Sequence, residues 1–158
     1  MRRGIVSAGN WLVDTIKFIR TYPAAGNLAT IEKIESGFGG CAHNVLADLA
    51  HLESGIPLYA GGCVGCDAQG DAIMAAIERM GIDAEGMCRV DAATSYTDVM
   101  ADMTTGTRTF FHHHGANALF GGEQVEKIQA EAKIFHLGYL LLLKRMDAAD
   151  EQYGIVAA

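Results

Sequence analysis

Gly37-Phe38-Gly39-Gly40-Cys41-Ala42-His43-Asn44-Val45-Leu46-Ala47-Asp48-Leu49-Ala50-His51-Leu52 is the stretch on which the reading of this chain turns. A glycine cluster runs directly into a helical pattern. Val45, Leu49 and Leu52 recur at i, i+4 and i+7, with Leu46 beside them, so one helix face is apolar. Glycines at a helix entrance let another molecule come close to the backbone. The free N–H groups of the first turn point at whatever sits there. Asn44 lies in that turn, and its amide both donates and accepts hydrogen bonds. The arrangement suits a small pocket for a hydroxyl-rich or anionic ligand. A tight packing turn before an ordinary amphipathic helix would use the same residues.

Upstream, Gly4 to Gly9 reads as a buried first strand, with Asp14 shortly after it. Thr15 to Arg20 suits an exposed strand, Tyr22 to Asn27 a loop, and Ala29 to Glu35 a second alternating strand. Downstream, the helix is expected to stop at Gly55. Pro57 to Val64 is a core strand. A second helix follows, capped by Asp67 and Gly81, with Ile73, Ala76, Ile77 and Met80 on one face. Thr97 to Met103 and Thr107 to His112 are strand-like, joined by a short Thr104-Thr105-Gly106 loop. Gly115 to Ala118 breaks the pattern. Glu123 to Ala132 reads as a helix, Lys133 to Tyr139 as a third core strand, and a helix starts near Met146. Core strands alternating with helices predict an α/β fold with a largely parallel sheet. The alternating strands near Asp14, Ile31 and Phe110 predict a small separate sheet, placed to cover the site.

Composition narrows the function. The chain has 158 residues, 50% apolar and 20% charged, which fits one globular domain with a real core. Its formal net charge of −7, with no offsetting Lys/Arg cluster, argues against a nucleic-acid or anionic-membrane surface. Asn10 and Asp14 interrupt the apolar run after Arg2 and Arg3, so this is a poor signal peptide. Leu140 to Leu143 is too short to cross a bilayer. The expectation is a soluble cytoplasmic protein with reduced thiols. Cys63-Val64-Gly65-Cys66 is a C-x-x-C pair, but Cys41 and Cys88 do not form a second one, so zinc or redox chemistry is a distant third reading. In His112-His113-His114, adjacent strand residues face opposite ways, and no metal site is expected. The final Tyr153 to Ala158 falls inside an apolar helical pattern without a polar cap, which reads as a truncated chain or half of a larger sheet.

Three segments, in order, carry a family resemblance. These are Gly9 to Asp14, a strand followed by an acidic residue; Gly39-Gly40-Cys41-Ala42-His43-Asn44 with its leucine-bearing helix; and Gly62-Cys63-Val64-Gly65-Cys66-Asp67-Ala68-Gln69-Gly70 through Gly81-Ile82-Asp83. Together they resemble the N-terminal half of the ribokinase-like (PfkB) carbohydrate kinases. Thr107 to Phe110 and Gly115 to Ala118 are similar too. The resemblance implies a ribokinase-like three-layer fold, with residues 1–158 as its sugar-binding part. Strands at about 14–36 and 96–113 would form a β lid. It implies that Asp14, Gly39, Gly40 and Asn44 bind a sugar, with weaker lid contacts from Phe110, His112 and Asn117. Leu12 stands where members with a ribose-like substrate often carry a polar residue, and Cys41 where some members have a lysine, which leaves the sugar open. In the family, ATP, Mg2+ and the catalytic base belong to a C-terminal half bearing D-T-x-G-A-G-D. No such string occurs here, so no catalytic residue is expected in this chain. The rival implication is a non-catalytic sugar-binding or dimerisation module, and the lid strands are the expected surface of a homodimer.

Overall fold

The structure is a computed structural model and describes residues 2–148. Strand β1 (Ile5–Gly9) is followed by β2 (Leu12–Ile19), β3 (Ile31–Gly39), helix α1 (Cys41–His51) and β4 (Leu58–Gly65). Then come α2 (Ala68–Arg79), β5 (Asp83–Val90), β6 (Tyr96–Asp102) and β7 (Arg108–His113). A 3-10 turn (Gly115–Leu119), α3 (Gly122–Glu126) and β8 (Ile134–Gly138) complete the order. Two four-stranded sheets result, in orders β5-β4-β1-β8 and β3-β2-β6-β7. Every pair in the first is parallel. The second pairs β2 with β3 and β6 with β7 antiparallel, and β2 with β6 parallel.

The parallel sheet is covered on both faces, so its strands are apolar on both sides. Leu58, Ala60 and Val64 of β4 pack against Ala42 and Leu46 of α1 and Ile73 and Ile77 of α2, with Trp11 among them. Val6, Ala8 and Cys63 face the other way, against Ala116, Phe120, Leu143 and Met146. This alternation along β1 and β4 makes three layers, as expected for the fold.

Several boundaries differ from the expectation. Gly37 to Gly39 are the end of β3, because their backbone pairs with Leu12 to Asp14, and Gly40 alone makes the turn. Asp14 lies inside β2, which starts two residues before the expected lid strand at about 14. Helix α1 ends at His51, and Glu53 takes the left-handed conformation (φ 47°), so the chain turns before Gly55. The buried face of α1 is Ala42 and Leu46, while Leu52 is 73% exposed. Strand β5 was not foreseen: Asp83, Glu85 and Arg89 give it an edge strand's exposed polar pattern. The helix expected over Glu123 to Ala132 is only the short α3. The helix from Met146 and the apolar end at Tyr153 to Ala158 lie outside the described residues.

The second helix forms as its sequence dictates. Asp67 is its N-cap and accepts from Gly70 N at 2.8 Å. The same carboxylate accepts from Thr94 N at 2.7 Å and Thr94 Oγ1 at 2.6 Å, tying α2 to the approach to β6. Burial alone would raise the Asp67 carboxyl, but hydrogen bonds from Thr94 and from the Gly70 and Gln69 amides hold it below its ordinary value. A depressed carboxylate contributes stability that is present above the unfolded-state value and lost as pH falls through the folded one. Asp67→Ala is therefore expected to cost about 2–3 kcal/mol at neutral pH, one cap and two further bonds. Thermal melts should show the gap to wild type narrowing as pH falls below about 4. A pH-independent gap would contradict the role.

Candidate sugar-binding site

The carboxyl end of β1 lies beside the root of the second sheet. Only Asn10 and Trp11 separate β1 from β2. Gly40, the N-cap of α1, has no side chain to cap with and sits at φ 98°. Asn10 supplies the missing acceptor from 31 residues away: its Oδ1 takes the Cys41 N–H at 2.9 Å. Asn10 N in turn donates to Gly138 O of β8 at 2.9 Å. A Cβ on Gly40 would run into the Asn10 carbonyl, so only glycine lets α1 start this close to the β1–β2 link.

Asp14 stands next to this junction. A Cβ on Gly39 would meet its carboxylate oxygen, so the bare Gly39 backbone makes room for that group. In register across the second sheet, Asp14 lies beside Thr97, and Thr97 beside His112. Residues in one cross-strand row share a face. Thr97 is thus the polar neighbour of the Asp14 carboxyl on β6. Its Oγ1 also lies 2.9 Å from His112 Nδ1. Burial pushes the Asp14 carboxyl above the usual aspartate value, while Thr97 and the charge of His43 pull it back. His43 Nδ1 is 3.0 Å from Asn44 Oδ1. The ring stands edge-on to Trp11, with centroids 5.9 Å apart, and Trp11 is fully buried.

The structure therefore sets Gly39 against Asp14 and places Asn44 one turn into the helix that Gly40 opens, its N–H bonded to the Gly40 carbonyl at 2.9 Å. It arranges the weaker candidates differently. His112 joins the Asp14 row. Phe110 sits two residues along on the same face, 58% exposed, with the Arg108 guanidinium 5.7 Å over its ring. Asn117 requires a correction. It was expected to be a lid or substrate contact, but its side chain is fully buried. Its Oδ1 accepts from Trp11 N at 3.1 Å and its Nδ2 donates to Trp11 O at 3.0 Å. It clamps the β1–β2 link from behind. Asn10, His43 and Thr97 went unnoticed in the sequence, because what gives each a role is a partner at the junction.

The cysteines do not form the C-x-x-C unit. Cys63 is buried in β4 and Cys66 is exposed beyond it, while the strand neighbour of Cys63 is Cys88. Burial, with Cys88 beside it, pushes the Cys63 thiol up to about 12, which leaves it protonated and a poor nucleophile. Of the three histidines, His113 leans on the Tyr96 ring at 5.1 Å, while His112 and His114 stand edge to face at 4.9 Å.

A parallel sheet with helices on both faces, an acidic and glycine-lined junction at its strand ends, and a second sheet beside it define a ribokinase-like α/β protein. Comparison with known proteins agrees. Residues 4–155 match the pfkB family carbohydrate kinase description, and the chain belongs to that family. An ATP-dependent ribose-1-phosphate kinase of Halopiger xanaduensis is 29% identical over 123 residues, 78% of this chain and 41% of that protein. Ribokinase from Giardia lamblia superposes with a TM-score of 0.74 at 22% identity, over 85% of this chain and 44% of the other. Arabidopsis thaliana ribokinase, solved with ribose and ATP, superposes with a TM-score of 0.70 at 24% identity, over 87% and 45%. The chain thus spans less than half the length of these relatives.

Proposed function

We propose that these 158 residues are the sugar-binding part of an ATP-dependent carbohydrate kinase. The observation that carries this reading is the half-buried Asp14 carboxylate beside the side-chain-free Gly39, with Asn44 one turn into the helix that follows. In open α/β sheets, ligands bind at the carboxyl ends of parallel strands, which is where this group lies. An ionised carboxylate only accepts hydrogen bonds, so it suits two neighbouring sugar hydroxyls. The Gly39–Gly40 backbone admits the ring closely, and the Asn44 amide reads a further hydroxyl. Phe110 and His112, on the Asp14 face of the second sheet, then form part of a lid over residues 1–158's sugar cleft. The named relatives support a ribose-like substrate, since one acts on ribose 1-phosphate and another holds ribose.

Phosphoryl transfer needs more than this. It requires a base for the hydroxyl and donors for the moving phosphate. Among the described residues, no group of three His, Cys, Asp or Glu could hold a metal ion, and no step is assigned to a magnesium–nucleotide complex. The ATP site and the base belong, on this reading, to sheet added beyond β8. Among the described residues that strand is the edge of the parallel sheet, and Ile134 and Phe135 on it are about half exposed, at 53% and 48%. A specific observation also favours homodimerisation. Ile34 and Phe111 are 58% and 51% exposed on the face of the second sheet opposite Asp14, a surface suited to a second copy of the chain. Among the described residues no helix is long and apolar enough to cross a membrane, and a cytoplasmic setting suits the four free cysteines.

Calorimetry with ribose, ribose 1-phosphate and fructose tests the reading. At least one should bind saturably, and the chain alone should turn over no ATP. Gly39→Ala pushes on the Asp14 carboxylate and should weaken binding at least about tenfold, with the fold retained. Unchanged binding in that variant, or no binding of any of the three sugars by wild type, would refute the site. ATP-dependent phosphorylation by these residues alone would place the catalytic groups inside them.

A further inference from the structure

Strands β1 and β8 are apolar except in one cross-strand row, where Ser7 and His136 are register partners. Ser7 alternates with Val6 and Ala8, which pack on the far face, so its side chain points to the α1 side of the sheet. A fully buried hydroxyl and a half-buried imidazole are costly among apolar neighbours unless they are bonded. Ser7 Oγ lies 2.7 Å from His136 Nδ1, which satisfies both groups at once. The ring's other nitrogen faces α1 and meets a thiol there: His136 Nε2 is 3.7 Å from Cys41 Sγ. A Cβ on Gly138, two residues beyond His136, would run into that sulfur, so the end of β8 is left bare where the thiol sits. Asn10 holds the Cys41 N–H at 2.9 Å, which fixes the backbone that carries the thiol.

We propose that Cys41 is a reactive thiol with His136 as its general base, and that it is a modification site for peroxides. Ser7 is the positioning residue: it anchors Nδ1 and so aims Nε2 at the sulfur. Nucleophilic cysteines work in this arrangement, with a base in reach and a third group orienting the base. When Sγ attacks hydrogen peroxide, an S–O bond forms and the O–O bond breaks. The thiol proton passes to His136 Nε2 and on to the departing hydroxide, which leaves as water. Sulfur loses two electrons and the peroxide gains them, which leaves a sulfenic acid on Cys41. The chemistry needs no sugar in the cleft. Exposure alone predicts a different order, because Cys66 is exposed and Cys41 only half so.

Hydrogen peroxide pulses, with dimedone trapping of sulfenic acid and site-resolved mass spectrometry, test this on the whole chain. Cys41 should label at least about tenfold faster than Cys66. His136→Phe keeps a ring but removes the base, and should slow Cys41 at least about tenfold while leaving Cys66 unchanged. Added imidazole should restore part of that rate, which a packing role would not allow. Cys63, buried in β4, reports the fold in the same spectra and should stay unlabelled. If His136→Phe exposes Cys63, Ser7→Ala decides instead: it keeps thiol and base, removes the anchor, and should slow Cys41 about threefold or more. Cys66 labelling ahead of Cys41 in wild type would overturn the proposal. So would a wild-type Cys41 rate in His136→Phe with Cys63 still protected, or in Ser7→Ala.

Discussion

Asp14→Asn is expected to lose sugar binding and gain stability in the same variant. The binding loss follows from charge. Hydrogen bonds to an ionised group contribute about 1.5–3 kcal/mol each, and a diol makes two, so affinity should fall by at least about 100-fold. Asparagine offers one acceptor oxygen where the carboxylate offers two, and its NH2 end repels a hydroxyl's proton. The stability gain follows from the raised ionisation of Asp14, which burial causes against the pull of Thr97 and His43. A carboxyl raised in the folded state binds protons more readily there than in the unfolded chain. Its presence therefore lowers stability as pH rises from the ordinary aspartate value through the folded one, and that cost is fully present at neutral pH. An uncharged isostere removes it. Calorimetry should show no saturable binding, and thermal melting at neutral pH should shift upward. In the wild type, sugar affinity should decline on acidification at a higher pH than an ordinary aspartate would give. A variant that bound sugar normally, or melted well below wild type, would show that Asp14 serves the fold instead.

Trp11→Ala carries the largest expected stability loss. The ring is fully buried between the sheet and its helices, in the cluster with Leu46, Ile73 and Ile77. Its Nε1 donates to Gly61 O at 2.9 Å, so truncation also strands a buried carbonyl. Removing a buried Trp costs about 3–5 kcal/mol, against a total stability of about 5–15 for a typical domain. The loss should reach the site, because Trp11 follows the Asn10 cap, backs the His43 ring and is gripped on both sides of its peptide by Asn117. Chemical denaturation should give a midpoint far below wild type, with sugar binding lost. Trp11→Phe, which keeps most of the packing, should retain a measurable folded state but forfeit the Gly61 bond. Near-wild-type stability for Trp11→Ala would contradict the packing described here.

What could be read from the sequence was local. Asp67 precedes an apolar helical face by the spacing a cap requires, and it does cap α2. The core strands β1, β4 and β8 are short apolar runs bounded by turns. Asp14, Gly39, Gly40 and Asn44 could be picked out by their family pattern, and the fold sets Gly39 against Asp14 and Asn44 one turn beyond Gly40. What could not be read depended on distance along the chain. Asn10 gains meaning only because Cys41 folds against it, Thr97 only because β6 lies parallel to β2, and Asn117 only because it finds Trp11, 106 residues away. Gly37 to Gly39 looked like a turn because glycine has no side chain to declare a face, yet cross-strand backbone bonds make them strand. β5 was hidden because an edge strand tolerates charge where a central one does not.

Amide and carboxyl shift mapping during a ribose titration of the isotope-labelled chain tests the central claim most directly. The account predicts saturable shifts gathered at the Gly39, Gly40, Cys41 and Asn44 amides and at the Asp14 side-chain carboxyl carbon. A response confined instead to the cavity of ≈ 380 Å3 between Arg20 and Glu32, or absent from those five positions at saturation, would contradict it.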